Sequence, residues 1–265
     1  MNRLLDIYLQ QFKISLAVQF QYRVGMIIWM IEIILQPVVY LVVWQSAAGE
    51  GEIAGYAARD FAAYYILLLI VSHFTQMWHM WEYEWRIREG TLNKDLLRPL
   101  HPIHPDIASN ITYKTFMLIV LIPTVIGLIL VFDPIIQPPL WAALSFIPAL
   151  ILAGALTFLL GWVVAMAAFW TVRIMAINQM YFLVMLFFSG SIAPLDVLPD
   201  FLQTISRLLP FQWAMAFPIE LMLGRLTQTE ALIGFGAQIG WIIVTTGFLM
   251  FLWQHAVRRY SAVGG

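Results

Sequence analysis

Apolar positions in this chain gather into long runs instead of alternating or recurring every third or fourth residue. Six runs stand out, at residues 25–44, 61–80, 111–132, 140–169, 176–192 and 234–253. A helix needs roughly 20 apolar residues to cross the hydrocarbon core of a bilayer. The pattern therefore predicts six transmembrane helices in an all-α integral membrane protein, one transmembrane domain over 1–265. The fourth run exceeds one perpendicular crossing; either Pro148 kinks it or its first part lies at the interface. Residues 1–22 read differently. Leu5, Tyr8, Leu9, Phe12 and Leu16 form a stripe, with Arg3, Asp6, Gln10 and Lys13 off it. That pattern predicts an amphipathic elbow helix lying in the membrane interface, either a plain anchor or a contact for a partner subunit.

The longest polar interruption is residues 83–106. From Trp78 the sequence runs WHMWEYEWRIREGTLNKDLLRPLHPIHP. Trp78, Trp81 and Trp85 mark an interface. Glu82–Arg86 and Glu84–Arg88 are i,i+4 acid-to-base pairs, which extend the second helix beyond the membrane. Gly90 interrupts it, and Thr91 is placed to cap a short helix with its hydroxyl. Leu92, Leu96 and Leu97 give that helix an apolar face, and Pro99 stops it. Such a helix either fills a groove on another protein or packs on its own spans. His101, His104 and Asp106 lack an evident fourth ligand, so no metal site is expected; Pro99, Pro102 and Pro105 are expected to hold an extended return to the membrane.

A second irregularity precedes the last run. Residues 194–224 are too apolar for a free loop, yet Pro199, Pro210 and Pro218 divide them into pieces too short to cross. Pro199 and Asp200 suit the start of a helix. Short helices dipping back from the outer face would reconcile the two, with Pro194, Asp196, Pro199 and Phe211 in a candidate outer gate.

Composition agrees with a membrane protein: 62% of residues are hydrophobic and 11% charged, against about 25% charged in soluble domains. The net charge of −1 gives no reason to expect nucleic acid. There are no cysteines, which excludes disulfides, thiolate metal sites and cysteine nucleophiles. The first residues lack the basic, apolar and small-residue order of a signal peptide, so the first span is expected to serve as an uncleaved anchor. Eleven of the 14 Lys and Arg fall on one set of flanks and loops, which places both termini in the cytoplasm and agrees with an even number of spans. No internal repeat supports an inverted-repeat carrier, and no G-x-x-x-x-G-K-[ST] loop binds ATP.

The two irregular segments carry a resemblance. The elbow, six spans, Gly90-Thr91-Leu92 with Leu96-Leu97-Arg98-Pro99-Leu100, then Phe188-Ser189-Gly190 with Pro194-Leu195-Asp196 and Leu198-Pro199, together resemble the permease subunit of a bacterial type-2 ABC exporter. More narrowly, they resemble the branch with paired permeases and a separate ATPase. The resemblance covers essentially the whole chain. It implies a coupling helix over Thr91, Leu92, Leu96, Leu97 and Arg98, seated on the ATPase and supported by the elbow. It implies an outer gate over 194–224 and a path between two permeases lined by the first, second and fifth spans. It further implies ATP and Mg on the partner ATPase, no cofactor on this chain and a bacterial inner-membrane location, while the few charged residues within the spans favour a hydrophobic or amphipathic cargo.

Within the spans, Glu32, Gln36, Gln76, Asn178, Gln179 and Phe182 are the candidate path residues. An ionisable group in a span is expensive, so Glu32 either faces the path or bonds Gln36 or a neighbouring helix. Gln76 sits in a polar portion with His73, Thr75 and His79, which suits either the interface or a pore lining. Gly236 and Gly240 make a G-x-x-x-G pair that permits close helix approach. Two other classes compete with the exporter: an ion-coupled carrier using Glu32, and a membrane enzyme using His73, His79 or Glu32. The six-residue separation of the histidines puts them on different helix faces.

Overall fold

The computed structural model describes residues 2–21, 23–171 and 173–260. It is almost wholly helical. Helix α1 (Asn2–Gln21) leads to α2 (Arg23–Ala48), a two-stranded ribbon (β1, Glu52–Ile53; β2, Tyr56–Ala57), α3 (Ala58–Thr75), α4 (His79–Arg88), α5 (Leu92–Leu96) and α6 (Ile103–Phe132). Then come α7 (Leu140–Ala165), α8 (Met175–Phe188), three short helices α9 (Asp200–Leu208), α10 (Pro210–Ala214) and α11 (Ala216–Met222), and the long α12 (Gln228–Arg259).

Helix α3 is the hub. Its residues from Phe61 to Leu69 are each at most 2% exposed, which a helix apolar on every side requires. It packs against α2, α6, α7 and α11. Around it, α6, α7 and α12 turn apolar side chains outward, among them Ile119, Leu130, Leu144, Ile151, Ile243 and Phe251. Water would penalise such surfaces; hydrocarbon does not. Among the described residues, four helical stretches are long and apolar enough to cross a membrane, Ala58–Arg88, Ile103–Phe132, Leu140–Phe169 and Gln228–Arg259, and Ile33–Ala48 and Met175–Phe188 are shorter apolar helices.

Several boundaries differ from the sequence expectation. The second run does not stay helical: α3 ends at Thr75, and Gln76–Trp78 are irregular before α4 resumes. Neither glycine nor proline causes this break; packing does. Asn110 of α6 donates its Nδ2 to the Gln76 carbonyl at 3.0 Å. Met77 and His79 press into the space over Gly161, where a Cβ would stand 2.6 Å from Met77 Sδ. Pro102 and Pro105 do not hold an extended return. Pro102 sits at the N-cap of α6 with φ −56° and ψ −18°, and a first helical turn tolerates proline because its N–H groups need no intrahelical partner. Pro148 lies inside α7 without ending it. Thr91 makes no capping bond; its hydroxyl donates instead to the Arg86 carbonyl at 3.4 Å. The fifth run stops at Phe188, not 192.

The start of α12 carries a device the hydropathy pattern overlooked. The Thr227 hydroxyl accepts from the Glu230 N–H, while Glu230 Oε2 accepts from the Thr227 N–H at 2.8 Å. This capping box extends the last run back to Gln228. Among the described residues, nothing packs on the G-x-x-x-G pair: the space over Gly236 and Gly240 is open. The nearby Gly234 is the close-packed one, holding the Phe217 ring where a Cβ would stand.

Candidate functional site

Long-range contacts sort the polar segments into two ends. At one end the Tyr260 hydroxyl donates to Asn93 Oδ1 at 2.7 Å. The Tyr8 hydroxyl lies 2.6 Å from Nδ1 of His104, and the Ile174 N–H donates to Glu84. This end, called inner below, gathers α1, α4, α5 and the last turn of α12. Its centre is a mostly buried cation, with Arg86 2.5 Å from Glu82 and 2.8 Å from Asp106. Asp106 is 5% exposed. Such a charge is tolerated because both guanidinium faces are paired.

The five coupling candidates divide on this platform. Leu92 is fully buried in a cluster with Tyr83, Trp162 and Ala256, and Leu96 packs partly against it. Leu97 is 86% exposed. Arg98 is also exposed, 3.6 Å from Asp95. The leucine face read from sequence is thus split: Leu92 anchors the short helix, and Leu97 with Arg98 is what it displays. His101 and His104 are taken up by packing and bonding. The His101 ring lies 4.4 Å from Trp253, with Nδ1 accepting from the Ile103 N–H, and His104 meets Tyr8.

The opposite, outer end is tied mainly by neutral donors. The Tyr64 hydroxyl donates to the Gly190 carbonyl at 2.8 Å, and the Tyr65 hydroxyl and Trp44 indole both donate to the Ile192 carbonyl. Arg59 pairs with Asp133. Beside them lies a cavity of about 650 Å³ lined by Asp196, Arg207, Trp213, Glu220, Arg225 and Glu230. The Tyr56 hydroxyl donates to Glu220 at 2.8 Å, and the Arg225 guanidinium lies 3.5 Å over the Tyr56 ring. Burial first, then the Glu220 charge, pushes the Tyr56 phenol up. Burial likewise raises Glu220, in α11 and outside the spanning helices, to about 7, although Tyr56 and Arg225 oppose the shift. Of the candidate gate residues, Asp196 lines this cavity. Pro199 is the N-cap of α9 and Pro194 precedes a 3₁₀ turn. Phe211 is buried against Tyr181 at 5.7 Å.

Between the ends lies a cavity of about 520 Å³, walled by α2, α3, α4, α7 and α8. Gln36, Gln76, Gln179 and Phe182 line it together. Asn178 is not on that wall. Asn178 is buried, its Nδ2 3.4 Å from the Met80 carbonyl; Glu32 belongs to α2, but its side chain, like that of Leu5 in the elbow stripe, lies outside the described residues. The same wall holds Thr75, from the polar portion around Gln76, and Ser72, Thr157 and Trp81, which sequence reasoning missed. Single hydroxyls in apolar helices give no signal, and Trp81 passed as an interface marker. A further cavity of about 950 Å³ lies towards the inner end, between α1 and α4, with Gln19, Trp78, Trp85, Arg86, Lys94 and Tyr113 on its walls.

A family model described as ABC-2 family transporter protein matches residues 7–264. The chain belongs to that family. No individually curated protein matches it. An ABC-2 transporter protein is a multi-pass membrane permease of an ABC transporter, a transport component and not itself an enzyme. Membership does not favour the ion-coupled carrier reading of Glu32.

Proposed function

We propose that the chain is the membrane half of an ATP-driven exporter for a hydrophobic or amphipathic cargo. It works with a separate ATP-binding-cassette subunit that holds ATP and Mg, and with a second permease, the same chain or a homologous one. The observation that carries the docking is the display of Leu97 and Arg98 at the C-terminal end of a five-residue helix whose Leu92 is rooted in the core. An apolar side chain 86% exposed at a charged surface suits a groove on another protein. Helices α2, α3–α4, α6, α7, α8 and α12 serve as the six spans, with α1 as the elbow. Both termini then face the cytoplasm of a bacterial inner membrane, following the Lys and Arg bias. Helices α9, α10 and α11 form a re-entrant outer gate over residues 194–224. The 520 Å³ cavity is this permease's share of the path, its glutamines and hydroxyls set among apolar walls.

The test is purification of the tagged chain in mild detergent from its own host, beside Leu97→Asp. A cassette ATPase recovered with the parent and lost with Leu97→Asp, at unchanged yield and melting temperature, is the expected outcome. Absence of any ATPase, where a control ABC complex stays intact, overturns the exporter reading. Equal recovery with Leu97→Asp overturns the docking role of α5.

A further inference from the structure

Two residues belong to both large inner cavities. Gln76 and Trp81 line the central space of about 520 Å³ and also the inner space of about 950 Å³. Both stand at the α3–α4 break, where the backbone leaves the helix for Gln76–Trp78. Irregular backbone at membrane depth is tolerated where protein buries it or where it lines a cavity. Here the Asn110 amide satisfies the Gln76 carbonyl. Trp81, in the first turn of α4, lies against α8. There the Trp81 ring stacks on Phe182, with centroids 5.6 Å apart and planes within 10°. Phe182 lines the central space and not the inner one.

The inner space is equipped for a polar group. Gln19 is 3% exposed, lines it, and carries an Oε1 with no partner among the described residues. Its acids, Glu82 and Asp106, are matched by Arg86 and Lys94, so its walls carry no net charge. Ile14 and Val18 of α1 add an apolar side.

Resting on the exporter reading, we infer that the two cavities are successive chambers of one route for an amphiphile, divided by the Trp81–Phe182 stack. The inner chamber receives a headgroup that is neutral or zwitterionic, and the cargo passes to the central chamber only when the two rings part. One stacked aromatic pair is a weak barrier that side-chain rotation opens. Gln76, on both walls, offers its amide to the headgroup at the crossing.

The absence of cysteine makes the partition measurable without knowing the cargo. A single thiol is placed at Gln179→Cys, which lines the central chamber alone. Membranes holding the full complex are treated from the inner face with the impermeant trimethylammonium-ethyl methanethiosulfonate, and labelling of this chain is followed by mass. The parent should label slowly. Trp81→Ala and Phe182→Leu should each speed labelling severalfold, and Trp81→Phe should keep it slow. Trp85→Ala, on the inner chamber only, should leave the rate unchanged. Three outcomes overturn the inference: a rate indifferent to residues 81 and 182, a parent thiol that reacts as fast as one at Gln11 in the inner chamber, or an equal rise with Trp85→Ala. Failure of the exporter reading would appear separately, as the lack of a co-purifying ATPase.

Discussion

The two ends of this permease solve the same problem, closing a bundle of apolar helices against water, with a different balance of charged and neutral contacts. The inner end buries charge: Arg86 lies between Glu82 and Asp106, and the loop is built outward from that triad. The outer end is held mainly by neutral donors reaching loop carbonyls: Tyr64 to Gly190, and Tyr65 with Trp44 to Ile192. Buried ions cost much to desolvate and fix one geometry when every partner is present. Phenol and indole donors cost less to bury and leave less behind when lost. The inner end should therefore fail sharply when one member is removed, and the outer end gradually.

The largest effect tests the inner triad. Asp106→Leu removes one partner of a mostly buried guanidinium, and loss of a buried pair member costs about 3–5 kcal/mol. The expected outcome is a strongly lowered melting temperature in detergent, largely restored by adding Arg86→Met. If Asp106→Leu melts like the parent, the triad is not what secures the loop.

Next comes the outer tie. Gly190 has φ +89°, and a Cβ there would meet the Tyr64 hydroxyl at 2.6 Å. Gly190→Ala adds left-handed strain and crowds the donor, so it should cost roughly 1–3 kcal/mol. A melting temperature equal to the parent's would mean that the loop at 189–192 yields freely and does not anchor the outer end.

The smallest effect is titration at the outer cavity. Glu220 holds its proton up to about 7 in the fold, against 4.5 for an ordinary glutamate. A raised carboxyl stabilises the fold fully below its unfolded value and loses that contribution as pH rises through the folded one. Stability should thus decline between about pH 4.5 and 7 and level off above. Glu220→Gln should flatten that segment of the melting-temperature profile while leaving the rest. An unaltered profile would remove Glu220 from the account.

The fold was largely legible because long apolar runs leave a chain few options. The helices on residues 111–132, 140–169 and 234–253 needed only length and hydropathy. The break at Gln76–Trp78 was hidden, since no glycine or proline marks it and its cause lies on α6 and α7, at Asn110 and Gly161. The site was legible in part. Polar residues within apolar runs pointed to Gln36, Gln76 and Gln179, which the fold brings to one cavity with Phe182. Trp81 was named for its place at an interface, and nothing in its neighbours showed that it would stack across to α8.

Taken alone, the sequence determined that this protein lives in a bilayer as a bundle of helices, because transfer free energy sums over each run regardless of which helix comes next to it. It also showed that the G-x-x-x-x-G-K-[ST] motif is missing from the chain. Only the tertiary structure decided which face each helix buries, that Leu92 roots the short inner helix while Leu97 is displayed, and that Glu220 meets Tyr56 across 164 residues of chain. Those outcomes depend on which side chains meet at hydrogen-bond and van der Waals range, and pairings between distant segments leave no local periodicity to read.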